Sequence, residues 1–263
     1  YNNTIRDLFG VAIKPANDFP SDDVGKGFDN IGGVLSISSL LMEKYLTAAE
    51  QVTAAVIDTM DYSIPQTWAT ESNKLTATHK NIEDVRGLRF LKQAGELTFK
   101  QTVPATGTYQ IAFDAEAMPL NDLEIDFTVK IDDETVKNYS IRQRNRPKTF
   151  KRKIELSAGT HQIAFEFFGD DSEEDETKRP RFGMGRVVIR GPIGKSTPNY
   201  SETHRRIVTA TPNDKLTAQQ AAATLVSPLL RRVFRRPVSD AEVDRFAGLT
   251  VSFMEDQKAT WEQ

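Results

Sequence analysis

The sequence predicts an α+β fold in which an antiparallel β-sandwich lies between two helical ends. Two observations lead to this prediction. Between residues 87 and 192, short segments alternate apolar and polar side chains, as strands with one buried and one solvent-facing side do. Before and after that stretch, apolar residues recur three and four positions apart, which is the spacing of one helix face.

The N-terminal end predicts two helices. The first carries its apolar residues on one face and ends at Gly10, which can adopt a left-handed conformation. The second is expected from about Ser38 to Thr59, with Ser38 or Ser39 capping its first turn. The segment between the two helices is rich in Gly, Pro and Asp, which is typical of a loop.

The middle of the chain predicts a succession of short strands. In the segment 124–131, every second residue is a large apolar one, so four such side chains share a face. The segments 150–156 and 158–168 alternate in the same way, and Gly159 supplies a tight connection between them. About eight short antiparallel strands separated by turns are typical of a β-sandwich or jelly roll.

Two further helices are predicted at the C-terminal end. Each begins with a capping box, Thr217 with Gln220 and Ser239 with Glu242, in which the two side chains satisfy free backbone N–H groups. Neither end of the chain has enough apolar surface for its own core. We therefore expect the two helical ends to pack together, with the sandwich as an insertion between them.

These elements divide the chain into five expected segments. They are a helical segment 1–60, a linker 61–86, a sandwich 87–192, a second linker 193–215 and a helical segment 216–263.

Composition excludes several classes of function. The net charge of −3 gives no long-range field that would attract nucleic acid or anionic lipid, so neither is an expected partner. The absence of cysteine excludes disulfides, thiolate nucleophiles, covalent haem attachment and cysteine-ligated zinc. No apolar run approaches the roughly 18 residues that span a bilayer. Because the first residues already read as part of a helix, we expect the chain to be a fragment of a longer protein.

An acidic segment follows the strand 158–168 and is the sharpest polar feature. Six carboxylates occupy seven positions from Asp170 to Glu176. Calcium is bound by six to eight hard oxygen ligands, and a loop at a strand end can supply several. The alternative is a solvated loop balanced by nearby Lys and Arg residues. The candidate calcium ligands are Asp170, Asp171, Glu173 and Asp175, and the candidate carbohydrate-binding residues are Asp170, Asp171, Glu173 and Tyr139.

A second group of acidic side chains lies in the loop between the first two helices and consists of Asp18, Asp22, Asp23 and Asp29. They could serve as metal ligands or as an acid/base pair acting on a glycosidic bond. Alternatively, they hydrogen-bond to the backbone and hold the loop before the second helix. The residues of this motif of unknown role are Asp22, Asp23, Asp29 and Asn30.

Basic residues concentrate between Arg142 and Lys153. Such a band could bind nucleic acid or an anionic polysaccharide, or it could be the outward face of a strand. Few aromatic residues that could stack on bases lie near it. The three histidines, at positions 79, 161 and 204, are far apart and show no metal-ligand spacing. We find no sequence motif of a familiar nucleophile or metal centre, so catalysis by this chain has no support.

Both ends of the chain resemble a protein family found chiefly in planctomycetes and related bacteria. The stretch Tyr1–Gly10, followed by Phe19-Pro20-Ser21-Asp22-Asp23 and Gly27-Phe28-Asp29-Asn30-Ile31, resembles domain of unknown function 1587. Near the other end, Arg231-Arg232-Val233-Phe234-Arg235-Arg236-Pro237-Val238 with Asp240-Ala241-Glu242-Val243 is similar to domain of unknown function 1595.

In this family the middle region often resembles a jelly-roll carbohydrate-binding module of the calcium-dependent, xylan-binding type. The segment 158–161, the acidic segment and the strand that closes at Gly191 occupy the matching places. The family usually has an aspartate in its last strand, where this chain has Met184-Gly185-Arg186-Val187. The resemblance also implies a periplasmic or extracellular location and a parent protein with further domains, including a cytochrome c-type domain. No haem is expected in this chain.

The leading prediction is therefore non-catalytic binding of a polysaccharide or oligosaccharide by the sandwich, with calcium as the candidate cofactor. One alternative is a hydrolase or redox enzyme whose catalytic residues lie in the helical ends or in other domains. Another alternative is a structural spacer.

Overall fold

The computed structural model describes residues 1–20, 38–118, 124–142, 146–169 and 179–263. The chain forms two compact units. One combines both ends, Tyr1–Asp61 and Tyr200–Gln263, and the other is Tyr62–Asn199. We call them the helical unit and the sandwich unit. The predicted α+β class, with an antiparallel sandwich inserted between helical ends that pack together, is confirmed.

The helical unit contains five described α-helices and one short 3₁₀ turn at Pro15–Asp18. The helices are α1 (Asn2–Phe9), α2 (Ser39–Val56), α3 (Glu202–Ile207), α4 (Ala218–Phe234) and α5 (Asp240–Gln257).

The predicted caps form, although α2 ends at Val56, three residues before the predicted end at Thr59. Gly10 ends α1 with a φ of 75°. The Ser38 hydroxyl accepts a hydrogen bond from the Leu41 N–H at the start of α2. Both capping boxes form, at Thr217 for α4 and at Ser239 for α5. The short helix α3, inside the stretch expected to be a linker, was not predicted, because its six residues are too few to show a helical period.

Polar and apolar contacts join the two ends of the chain within the helical unit. Arg232 donates to the Asp7 carbonyl and Arg206 donates to the Leu8 carbonyl, so two guanidinium groups satisfy free carbonyls at the C-terminal end of α1. Ile5 of α1 and Val52 of α2 lie in one buried cluster, against which Ile207 of α3 packs.

A buried histidine forms another such connection. The Asp58 N–H donates to Nδ1 of His204 at 3.0 Å, and the His204 ring stacks on Tyr200 with 3.9 Å between ring centroids. Burial lowers the pKa of His204. Burial, together with the Glu262 carboxylate that accepts from the Tyr200 hydroxyl, raises the pKa of Tyr200 to about 12. Both rings are therefore neutral at physiological pH.

The sandwich unit is built from twelve described strands in two antiparallel sheets. They are β1 (Gln66–Thr70), β2 (Thr76–Ala77), β3 (Ile82–Val85), β4 (Leu88–Leu91), β5 (Gly95–Val103), β6 (Ala105–Met118), β7 (Glu124–Ile131), β8 (Glu134–Arg142), β9 (Lys148–Leu156), β10 (Gly159–Phe167), β11 (Arg181–Gly191) and β12 (Ser196–Pro198). One sheet has the order β12-β6-β11-β4-β3, with β1 paired to β11 and β9 paired to β6, and the other has the order β2-β5-β10-β7-β8.

The stretch expected to be a linker, 61–86, contributes to both sheets. It contains β1, a 3₁₀ turn and the short strands β2 and β3. Trp68 packs against the sandwich core and Leu75 is buried in it, whereas Ile64 is exposed. The strands β2 and β3 span only two and four residues, so they are too short to show a period of two.

Aromatic side chains fill the space between the two sheets. Phe113 of β6 contacts Phe127 of β7 and Phe165 of β10 edge to face, with ring centroids 6.2 and 5.0 Å apart. Phe150 of β9 stacks on Phe113 at 5.4 Å. These residues come from strands whose alternating pattern predicts an inward face, and all four are buried.

The two shortest connections between the sheets, among the described residues, are one and two residues long. Pro104 links β5 to β6, and residues 157 and 158 link β9 to β10. The connection at Gly159, with a φ of 139°, therefore joins strands of different sheets. Because these crossovers are tight, the strand ends on both sheets lie close together at the rims of the sandwich.

Candidate functional site

An exposed aromatic ring lies beside carboxylates at one rim of the sandwich. Phe168 directly follows β10 and is 57% exposed. Together with Glu124, Asp126, Gly169 and Pro180, it lines a pocket of about 300 Å³. We call this the Phe168 pocket.

The sequence around β10 explains why this ring faces the solvent. Phe165 and Phe167 point into the core, and neighbouring strand residues point to opposite sides. Gly169 follows Phe168 with a φ of 70°, and a Cβ at this position would lie 2.7 Å from the Ala94 backbone nitrogen. The glycine therefore permits a tight turn immediately after Phe168.

The carboxylates of the pocket come from the first residues of β7. Asp126 accepts a hydrogen bond from the Ser140 hydroxyl at 2.5 Å on the neighbouring strand β8. Glu124 forms a loose ion pair with Arg142, with 3.5 Å between Oε2 and Nε. Both carboxylates are exposed and retain free lone pairs for further donors.

A second pocket adjoins the first through Glu124. It has a volume of about 460 Å³ and is lined by Ser140, Arg142, Arg146 and Lys148 in addition to Glu124. We call it the Arg142 pocket. The rim therefore carries two adjacent depressions with hydrogen-bond donors and acceptors of both charges.

The acidic segment is flanked in the sequence by residues of the Phe168 pocket. Gly169 immediately precedes Asp170, and Pro180 immediately follows Arg179. Gly169 and Pro180 line the pocket together with the two carboxylates of β7.

Most of the predicted site residues lie outside the described residues. These are the candidate calcium ligands and sugar-binding acids Asp170, Asp171, Glu173 and Asp175, and the loop residues Asp22, Asp23, Asp29 and Asn30. Within the described ranges, we find no cluster of three or more His, Cys, Asp or Glu side chains that could hold a metal ion.

Tyr139, the remaining predicted site residue, lies in β8 and is partly buried. Its ring stacks on Phe127 with 5.4 Å between centroids and contacts Phe150 edge to face at 5.0 Å. One ring face is therefore used in the core. The role of Tyr139 in binding sugar stays a prediction.

The stretch Met184–Val187 of β11 contains one cation, Arg186. The Nε of Arg186 lies 3.2 Å from Oε1 of Glu71, and both side chains are exposed. This ion pair joins β11 to the residue that follows β1.

The opposite rim of the sandwich contains a histidine whose two ring nitrogens both have hydrogen-bond partners. Nδ1 of His161 lies 2.6 Å from Oδ2 of Asp132, and Nε2 lies 2.7 Å from the Ser157 carbonyl oxygen. Burial alone would lower the pKa of His161, but the Ser157 carbonyl and Asp132 together raise it. The hydrogen bond from His161, with a second from the Gln162 N–H, lowers the pKa of Asp132. The cluster ties the β7–β8 turn to β10, so we assign it a structural role.

Sequence reasoning missed the three residues that define the Phe168 pocket. Glu124 and Asp126 look like ordinary outward residues of an alternating strand, and no local pattern distinguishes them. Phe168 did carry a signal. In an alternating strand, two consecutive phenylalanines at 167 and 168 must place one ring outside.

Comparison with known families and structures gives one family match and several structural ones. The family described as "Protein of unknown function (DUF1587)" matches residues 1–58. A comparison with curated proteins gave no match. Among the described residues, no helix has both the length and the apolar composition needed to cross a membrane.

The structural matches cover about half of this chain. The CBM36-1 domain of a multidomain xylanase from the hindgut metagenome of Trinervitermes trinervoides is 15% identical, with a TM-score of 0.40, and the match covers 49% of this chain and 100% of that one. The carbohydrate-binding module CBM36 in complex with calcium and xylotriose is 14% identical, with a TM-score of 0.37 and coverages of 47% and 99%. The mannan-binding module from Man5C is 18% identical, with a TM-score of 0.37 and coverages of 48% and 99%.

Proposed function

We propose that the sandwich unit binds a polysaccharide or oligosaccharide, without catalysis, at the Phe168 pocket. The observation that carries this proposal is the juxtaposition of an exposed aromatic ring with the Glu124 and Asp126 carboxylates in one concave site. A sugar ring presents C–H groups on its face and hydroxyls around its edge. A phenylalanine ring can cover such a face, while carboxylates accept hydrogen bonds from the hydroxyls.

The dimensions of the rim favour a short stretch of a glycan chain. The Phe168 pocket and the adjoining Arg142 pocket have volumes of about 300 and 460 Å³, which is within the usual range of small-ligand sites. Ser140 and Arg142 add hydrogen-bond donors on the far side of Glu124. When one sugar unit lies against Phe168, the adjacent units of the glycan can thus lie along the rim.

Calcium is the proposed cofactor, with Asp170, Asp171, Glu173 and Asp175 as its proposed ligands. The chemistry of the donors supports this proposal. Carboxylates of β7 share the Phe168 pocket with Gly169, which precedes a segment with six further carboxylates in the sequence. The mutual repulsion of such a set of charges falls when a cation binds. A bound calcium ion would supply open coordination positions for sugar hydroxyls. The setting of an exported bacterial multidomain protein rests on the resemblance of the two chain ends to the family named above.

Calorimetric titration of the full chain tests the proposal. Xylan- and mannan-derived oligosaccharides are suitable probes, each titrated in calcium and then in excess chelator. We expect binding in calcium that is lost with chelator. Phe168→Ala should weaken binding about tenfold, because it removes the aromatic contact. Asp171→Ala should abolish the effect of calcium with little loss of stability.

Phe253→Ala is the matched control. Phe253 is 55% exposed, close to the 57% of Phe168, but it belongs to the helical unit. This variant should bind like the wild type. No heat with any probe in either condition, or equal weakening by both phenylalanine substitutions, would contradict the proposal.

A further inference from the structure

The strand β9 carries a concentration of cations on an open edge of the sandwich. In the part of the chain that the structure describes, β9 pairs with β6 and with no other strand. Its cations, with Arg146 just before it, are all exposed. We call this set the β9 strip. Its members are Arg146, Lys148, Lys151, Arg152 and Lys153.

Within the described ranges, no acidic side chain lies within ion-pair distance of any member of the strip. The strip differs in this respect from other strand cations of the sandwich. Lys130 contacts two glutamates, at 3.2 and 2.8 Å, and Arg89 is held by Asp84 at 2.8 Å. Lys148 has a contact of a different kind, with its Nζ 4.9 Å from the centre of the Phe150 ring.

The acids nearest to the strip in the sheet are engaged by hydroxyl groups instead. Asp114 of β6 accepts from Thr149 at 2.5 Å, and Glu155 of β9 accepts from Thr108 at 2.6 Å. Lys151 and Lys153 lie between these two acids on the same sheet face. Asp114 and Glu155 keep their negative charge in these hydrogen bonds, but neither forms an ion pair with Lys151 or Lys153. Both ammonium groups are therefore open to an external anion.

The strip extends along the open edge of β9 between two depressions, with Lys148 and Arg152 on the strand face of Phe150 and Lys151 and Lys153 on the opposite face. From Lys148 to Lys153 it extends over about 17 Å at the rise of a β-strand. Arg146 and Lys148 line the Arg142 pocket at one end. Arg152 and Lys153 line a pocket of about 510 Å³ at the other end, together with the acids Asp132, Glu134 and Glu155. An extended chain that follows the open edge can contact cations on both faces of β9, whereas a compact anion contacts only one or two of them.

The described aromatic rings beside the strip disfavour a single-stranded nucleic acid as the occupant. Phe150 is buried, and Tyr139 is stacked on Phe127. Neither offers an open ring face on which a base could stack.

We propose that the β9 strip binds an anionic polysaccharide whose carboxylate or sulfate groups pair with these lysines and arginines. The strip does not include Phe168, but Arg146 and Lys148 at one end of it line the Arg142 pocket, which adjoins the Phe168 pocket through Glu124. The proposal rests on the unpaired cations and not on the function assigned to the Phe168 pocket. A charged edge strand also discourages pairing with other chains. Edge protection alone requires no anionic ligand, so binding measurements separate the two roles.

The experiment compares two variants of the full chain that lose the same charge. In the strip variant, four neighbouring cations become glutamine: Lys148→Gln, Lys151→Gln, Arg152→Gln and Lys153→Gln. In the control variant, four scattered exposed lysines of the sandwich unit become glutamine: Lys74→Gln, Lys80→Gln, Lys100→Gln and Lys195→Gln. Binding of polygalacturonate, dextran sulfate, neutral dextran and duplex DNA is measured by thermophoresis at low and high salt.

We expect the wild type to bind polygalacturonate, dextran sulfate or both, more weakly at high salt because the contacts are exposed. The two polymers distinguish carboxylate from sulfate as the recognised group. The strip variant should bind about tenfold more weakly and the control variant within about twofold of the wild type. Phe168→Ala should leave this binding unchanged.

Three results would overturn the proposal. They are no binding of either anionic polymer, equal losses in the two charge variants, and tighter binding of duplex DNA than of both polysaccharides. Equal urea midpoints for wild type and strip variant show that the fold is kept. If the strip variant unfolds, Lys151→Gln alone gives the same test with a smaller loss.

Discussion

Replacing Tyr109 with phenylalanine removes one hydroxyl from the interior of the sandwich and leaves the ring in place. Tyr109 is fully buried in β6, and its hydroxyl donates to the Ala105 carbonyl at 2.7 Å. This bond lies where the chain passes from β5 in one sheet to β6 in the other. The bond therefore fixes the crossover that brings the two sheets together.

The expected loss follows from the burial of this hydrogen bond. Breaking a buried hydrogen bond to a neutral carbonyl costs about 1 to 1.5 kcal/mol. With a urea dependence of about 2 kcal/mol per M, the unfolding midpoint should fall by about 0.6 M. Trp68 packs against the sandwich core, with its ring 6.2 Å from that of Tyr109. In a Trp261→Phe background, its fluorescence reports on the sandwich unit alone, because the chain has two tryptophans.

Tyr139→Phe is the control for this measurement. The change is chemically identical, but Tyr139 is only partly buried, so we expect a loss below about 0.5 kcal/mol. If Tyr109→Phe lowered the midpoint no more than Tyr139→Phe does, the hydroxyl would not hold the crossover and the argument would be refuted.

Two further predictions concern backbone strain and pH. Gly10→Ala should destabilise the helical unit by more than about 1 kcal/mol. A residue with a Cβ is strained at a φ of 75°, and the added Cβ would lie 2.9 Å from the Arg206 guanidinium. Thermal melts followed by circular dichroism measure the loss of stability. Gly194→Ala is the control, because Gly194 has a φ of 81° and no atom lies within 4 Å of the added Cβ, so only the backbone strain remains. Equal losses of stability in the two variants would exclude a role for Arg206. The second prediction concerns the pair formed by His161 and Asp132. Because folding raises the pKa of His161, its contribution to stability is lost as the pH rises through that raised pKa. Because folding lowers the pKa of Asp132, its contribution is lost as the pH falls through that lowered pKa. The urea unfolding midpoint of the wild type should therefore exceed that of Asp132→Asn by most between about pH 4 and 6.5. If the difference between the two midpoints did not change with pH, the ion pair would be contradicted.

The alternating strands were predictable from sequence because their side chains report directly on burial. The prediction for 124–131 coincides with β7, and 150–156 lies within β9. The strands β1 to β3 were not predicted as separate strands, since they are short and polar and their pairing partners are far away in sequence. Strand β1, for instance, pairs with β11 more than one hundred residues later. Such pairing depends on the tertiary fold, which no local period encodes.

The candidate site was harder to predict than the fold. The sequence drew attention to the acidic segment because carboxylates are conspicuous in a row. It gave no indication that the start of β7 lies beside Phe168 and Gly169, because this proximity arises from the pairing of β7 with β10. Phe168 was the one member of the pocket with a local signal.

Backbone amide chemical shifts on titration with an oligosaccharide test the central claim most directly. In the presence of calcium, we expect the largest changes at Glu124, Asp126, Phe168 and Gly169, and little change at Asp132 at the other end of β7. A saturating titration that leaves these four amides unmoved, or that moves residues of the helical unit instead, would contradict glycan binding at the Phe168 pocket.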